Sequence, residues 1–140
     1  MPMEINLLGL TAALTAFISI WLGHVSVRKI EAATVELWKP MALVAMLGLT
    51  FEAGSLIVSI RLLSTALGIL GITLLWDALE IKRQARRVRK GHAPANPDNP
   101  RHAALLAEPG SHATTIELLK REPAGRPVSQ EEAFQLVADR

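Results

Sequence analysis

Residues 62–91 read LLSTALGILGITLLWDALEIKRQARRVRKG, and this stretch decides the fold. It is uncharged from Leu62 to Trp76, meets Asp77 and Glu80, then carries Lys82, Arg83, Arg86, Arg87, Arg89 and Lys90 without an acid among them. An apolar run closed by a block of bases marks a helix that crosses a bilayer and leaves it on the base-rich side. Crossing ~30 Å of hydrocarbon takes about 20 mostly apolar residues. The span is therefore set at about 62–81, with Asp77 at headgroup level. Most residues from Glu80 to Lys90 favour helix, and Gly91 suits the position just past a helix C-terminus. One helix is expected from about Leu62 to Lys90, projecting beyond the membrane.

Working back along the chain, Lys39 and Arg61 bracket a second apolar run interrupted only by Glu52, which gives a span of about 40–60. A first uncharged run from Ile5 to Val27 gives a span of about 5–26. Backbone polar groups in the bilayer core must pair within their own segment, so these runs are read as helices. No period-two alternation argues for strands. The expected architecture is all-α: a transmembrane domain of three spanning helices over 1–91, the third extended into the cytoplasm, and a tail over 92–140 with short helices. Only Ser59, Ile60 and Arg61 separate the second and third spans, so they should form a tight hairpin. Composition agrees, since 50% of the 140 residues are hydrophobic and 20% charged, with a mean hydropathy of +0.29.

The net charge is only +2 although the pI is about 9.4, because the charges are segregated. Beyond Gly91, Arg101, Lys120, Arg121, Arg126 and Arg140 are outnumbered by Asp98, Glu108, Glu117, Glu122, Glu131, Glu132 and Asp139. One basic block beside a membrane is not a basic surface, so no nucleic-acid partner is expected. The block should instead attract anionic lipid headgroups, by about 1 kcal/mol per base. Arg28, Lys29 and Lys39 lie between the first two spans. An odd number of spans puts them on the same face as the block, and the positive-inside rule makes that face cytoplasmic. The expected location is a bacterial inner membrane, with the N-terminus outside and the tail in the cytoplasm. Glu4 stands where a secretory signal would carry bases, so the first span is expected to be retained. The chain has no cysteine, which removes disulfides, thiolate nucleophiles and Cys-ligated metal centres.

Small residues suggest how the helices touch. Thr11, Thr15, Ser19 and Gly23 recur at four-residue spacing in the first span. The second has Thr50 and Gly54, and the third has Ser64, Gly68 and Gly71. Such residues let helix backbones approach in lipid, either within one chain or between subunits of a homo-oligomer or membrane complex.

At these residues the chain resembles the small three-span bacterial membrane proteins catalogued as domain of unknown function 4491. The likeness runs from about Ile5 to Asn99. It is densest at Leu67-Gly68, Gly71, Trp76, Glu80, Gln84, Arg87-Val88, Lys90-Gly91, Pro94 and Asn96-Pro97. A second group comprises Gly23-His24, Val27, Lys29, Glu31, Trp38 and Pro40. The resemblance implies the three-span topology and supplies no reaction, cofactor or catalytic residue.

Glu52 is the sharpest single residue, because a carboxylate near mid-bilayer must protonate or find a partner. It is read either as a proton- or cation-coupling group, or as a neutral acid hydrogen-bonded to Thr50, Ser55 or Thr15. His24, Lys29 and Glu31 are read as an interfacial polar cluster for lipid headgroups or a partner, or as a solvated turn. His92, His102 and His112 lack metal-ligand spacing, and no catalytic constellation is present, so neither cofactor nor enzymatic activity is expected. In the tail, Asn99-Pro100 should start a helix running through Ala107. Thr114 with Glu117 suggests a capping box for a helix to about Arg121. Ser129 with Glu132, and Val128 against Ala133, suggest another that carries Phe134, Leu136 and Val137. The leading reading is a non-catalytic accessory or scaffolding subunit whose tail binds a partner. The alternative is an oligomeric ion-coupled transporter or channel using Glu52.

Overall fold

The computed structural model describes residues 5–121, 129–131 and 134–135. Along them run α1 (Leu7–Ala33), α2 (Trp38–Ile57), α3 (Arg61–Arg89) and α4 (Pro100–Ala107), then a short 3-10 turn at Leu118–Lys120. The first three are long and apolar enough to cross a membrane, and the chain is an all-helical membrane protein. α3 is the spine, and both α1 and α2 pack along it. Large apolar side chains such as Phe17, Leu56 and Ile72 face outward, which suits lipid and would be untenable in water.

The helix ends follow from local chemistry. Asn6 caps α1, its side-chain oxygen accepting the Gly9 N–H at 3.0 Å. α1 runs past the expected end of its span through Arg28, Lys29 and Glu31 to Ala33, because its last turns are covered by the tail. Pro40 sits in the first turn of α2, where a missing N–H costs no helix bond. The α2–α3 link is as short as expected, and Ser64 Oγ donates across it to the Ser55 carbonyl at 2.7 Å. α3 ends in a Schellman motif: His92 N–H donates to Arg87 O at 2.7 Å and Gly91 N–H to Val88 O at 2.9 Å. Gly91 has φ +71°, and its Cα faces the His112 carbonyl so closely that no side chain would fit.

On one side of α3, the buried residues of α1 form a single ridge of Ser19, Gly23, Val27 and Glu31. Ser19 Oγ and Thr73 Oγ1 share a hydrogen bond at 3.3 Å. Gly23 lies against the Asp77 carboxylate, where an added Cβ would come within 2.7 Å of Oδ1. On the other side, a Cβ on Gly71 would sit 2.9 Å from the backbone N of Glu52, and one on Gly48 would sit 2.9 Å from Gly71 O. α2 and α3 thus meet backbone to backbone, as small residues permit.

The expected packing residues divide accordingly. Ser19, Gly23 and Gly71 lie at the closest approaches, while Thr11, Thr15 and Ser64 are half-buried. Gly54 and Gly68 have their nearest neighbours at an ordinary 3.6 Å. Thr50 meets no other helix of this chain: it is exposed on α2 and donates to Met46 O of its own helix at 2.9 Å. Gly48 was not expected, because its partner one turn on is Glu52 rather than another small residue.

Gly48→Ala and Gly71→Ala should each destabilise the chain by roughly 1–3 kcal/mol, since the obstructing atoms are backbone. Gly54→Ala should leave stability unchanged. Unfolding by denaturant in detergent micelles measures the difference.

Candidate functional site

α1 outlasts its span and leaves its final carbonyls without N–H partners of their own helix. The tail supplies them. Asn99 Nδ2 donates to Ala32 O at 3.0 Å and to Thr34 O at 3.2 Å. Asn96 Nδ2 donates to Ala32 O at 3.1 Å. Arg101 Nη2 donates to Glu31 O at 2.7 Å, and its Nε to Thr34 O at 3.3 Å. Asn99 works at both ends of its amide. Its Oδ1 accepts the Arg101 N–H at 2.9 Å as the N-cap of α4, while Pro100 takes the first helical position as expected. One asparagine therefore closes α1 and opens α4.

The same junction buries a charge. Glu31 is 1% exposed and His102 is fully buried. Arg101 Nη2 reaches Glu31 Oε1 at 2.7 Å, and His102 Nε2 lies 3.0 Å from the same oxygen. The Asn96 N–H donates to His102 Nδ1 at 2.8 Å, so the ring proton sits on Nε2 and is given to Glu31. Guanidinium and imidazole nitrogens lie 2.8 Å apart because both converge on one carboxylate. A buried carboxylate with two donors and a formal counter-charge is a satisfied arrangement; with either removed it is not.

Apolar contacts and further bonds tie this junction to α3. Val88 packs with Ala93 and Ala95, and Leu106 of α4 covers them. Ala95 N–H donates to Thr114 O at 2.8 Å. Arg121 donates to the carbonyls of Gly91 and Ile116. These contacts place the tail and the 34–37 loop on the same face of the helix layer, as an odd number of spans requires.

Beside the junction, a cleft of about 440 Å³ opens between α1 and α3, its polar lining including His24 and Arg28 from one and Asp77, Glu80 and Arg87 from the other. Glu80 is already neutralised: Arg83 Nη1 reaches Oε1 at 2.8 Å and Arg87 Nη2 reaches Oε2 at 3.3 Å. Arg83 also lies 4.5 Å from the centre of the Trp76 ring. No hydrogen bond reaches Asp77 or His24 among the described residues, so both offer polar atoms to the cleft.

The structure does not gather His24, Lys29 and Glu31 into one interfacial cluster. His24 lines the cleft, Lys29 is exposed, and Glu31 is sealed beneath α4. His24 and Glu31, seven residues apart, share one face of α1 two turns apart, whereas Lys29 projects from another. Glu52 packs on Gly71, and none of the expected hydroxyls binds its carboxyl. Thr50 and Ser55 Oγ atoms instead donate to the carbonyls of Met46 and Glu52, at 2.9 and 2.7 Å. Lys82, Arg86 and Lys90 of the basic block have no acidic partner among the described residues, while Arg89 lies 3.9 Å from Glu108. Thr114 and Glu117 do not start an α-helix: Thr114 Oγ1 accepts the Ile116 N–H at 3.2 Å, and only the 3-10 turn follows. Glu132, Val128, Ala133, Leu136 and Val137 lie outside the described residues.

Sequence reasoning missed Arg101 and His102 as partners of Glu31. The available signal was the Asn96-Pro97-Asp98-Asn99-Pro100 segment, whose paired asparagines offer amides to two backbones at once.

Arg101→Ala should strand the Glu31 carboxylate and destabilise the junction by about 3–5 kcal/mol. Asn99→Ala should cost about 2 kcal/mol by removing a cap from each helix. Hydrogen exchange should then quicken across 92–107 while the centres of the spans stay protected.

No curated protein and no solved structure was found to match this chain. The family model described as Domain of unknown function (DUF4491) matches residues 6–99. That match begins at the N-cap of α1 and ends at the N-cap of α4, so it holds Glu31, Asn96 and Asn99 and stops just short of Arg101 and His102. Covering well over half of the chain, it establishes that this three-helix membrane protein belongs to the DUF4491 family.

Proposed function

We propose that the chain is a non-catalytic accessory or scaffolding subunit of a bacterial inner-membrane complex. Its N-terminus lies outside, and its tail presents a docking surface to a partner protein in the cytoplasm. The observation that carries this reading is how the tail spends its groups. Its polar side chains turn inward to cap α1 and hold Glu31, whereas Ile116, Leu118 and Leu119 stand out from it, Leu119 being 97% exposed. An ordered platform with bare apolar side chains suits a protein partner. The net acidic character beyond Gly91 disfavours their use against anionic lipid. The lipid-facing surfaces of α1 and α2 leave room for neighbouring subunits or a second copy.

The alternative, an oligomeric ion- or proton-coupled transporter, is favoured by one observation. The Glu52 carboxyl receives no hydrogen bond among the described residues, and neither does the Asp77 carboxyl of α3.

Orientation is tested with single cysteines introduced into a chain that has none. Ser59→Cys should react with an impermeant maleimide added from outside, and Ser111→Cys only after permeabilisation. The opposite pattern would overturn the topology. Native mass spectrometry of gently solubilised membranes should show a stoichiometric partner that is lost on Leu118→Ser with Leu119→Ser. A partner-free homo-oligomer whose ion flux in proteoliposomes disappears on Glu52→Gln would replace this reading with the transporter.

A further inference from the structure

Helical periodicity divides the basic block into two faces. Arg83 and Arg87, one turn apart, are both bound by Glu80. Lys82, Arg86 and Arg89 follow the i, i+4, i+7 rhythm of a neighbouring face and meet α4 instead. Between α3 and α4 lies a groove of about 470 Å³ with these bases along one wall. Arg101 stands at the start of the other wall and is held there by Glu31. Ala85, Ala104 and Leu105 give the groove an apolar lining. Its one acid, Glu108, lies at the end away from the membrane, opposite Arg89.

Like charges one turn apart repel, and Lys82 and Arg86 have no acid to relieve them among the described residues. The groove begins where the apolar part of α3 ends. With 1.5 Å of rise per residue, Lys82 and Arg86 are about 6 Å apart along the axis, comparable with one leaflet's headgroup layer of roughly 5–7 Å, and Arg89 lies beyond it. We infer that this groove holds the phosphodiester headgroup of an anionic phospholipid from the adjoining leaflet. The phosphate lies between Lys82 and Arg86, and the glycerol rests on Ala85 and Leu105. The inference rests on the membrane reading but not on its orientation, and it narrows lipid contact from the whole basic block to one face.

The test uses the full chain in nanodiscs of equal phosphatidylglycerol and phosphatidylcholine, with protein–lipid adducts read by native mass spectrometry. Phosphatidylglycerol should dominate the adducts. K82Q with R86Q, both at exposed positions, should lower its preference about tenfold or more. R83Q with K90Q removes the same charge from the same block and should leave the preference within about twofold. Equal losses in the two variants would reduce the effect to diffuse attraction and overturn the groove, as would no loss in the first. Displacement of the adduct by soluble glycerol 1-phosphate would assign the groove to a free phosphate ligand and overturn the lipid. Failure of the chain to enter nanodiscs would be distinct from these, since it would overturn the membrane reading itself.

Discussion

A membrane helix satisfies its own backbone until its last turn, where the final carbonyls need donors from elsewhere. In this protein α1 reaches that point with a glutamate buried in the same turn. The tail must therefore provide both amide donors for the carbonyls and a counter-charge for the carboxylate. Asn96, Asn99, Arg101 and His102 meet these demands from a short segment whose prolines fix its turns. Removing the tail would expose three carbonyls and an unpaired buried acid together. That joint dependence explains why a segment with so little apolar area of its own can be ordered. Its position derives from α1 more than from any core within the tail.

The same logic governs the helix layer. α3 has two partners and approaches both closely, but by different means. Against α1 it places Asp77 over Gly23, so a polar side chain fills the space a missing Cβ leaves. Against α2 it places Gly71 under Glu52 and beside Gly48, so backbone meets backbone. Dispersion and close approach stabilise helix pairs in lipid, where the hydrophobic effect between them is absent. Asp77 and Glu52 consequently each sit where a glycine makes room for them. Acids and glycines are parts of one packing solution.

The spans, the hairpin, the helical extension of α3, its glycine terminus and the Asn99-Pro100 helix start were all legible in the sequence. Each depends on local pattern: apolar length, helix propensity, or a capping residue beside its helix. What escaped were contacts between residues distant along the chain. Glu31 and Arg101 are separated by two membrane crossings, and nothing in either neighbourhood announces the other. Gly48 escaped because its ridge partner is a glutamate, which hides it from a search for small-residue spacing. Thr50 meets no other helix of its own chain, because four-residue spacing identifies a face without saying which way that face points.

Glu80 shows how one residue near a membrane boundary can give direction to a symmetric feature. A run of bases on a helix would otherwise surround it with positive charge and fix only the topology. By binding Arg83 and Arg87, Glu80 offsets one of the two positive charges they bring to their side of the helix. The residues left uncompensated then lie on the side where α4 is held. α4 is there because Asn99 and Arg101 are bound to the end of α1. The electrostatic character of the third helix is thus decided by how the first one terminates, through a tail that contacts both.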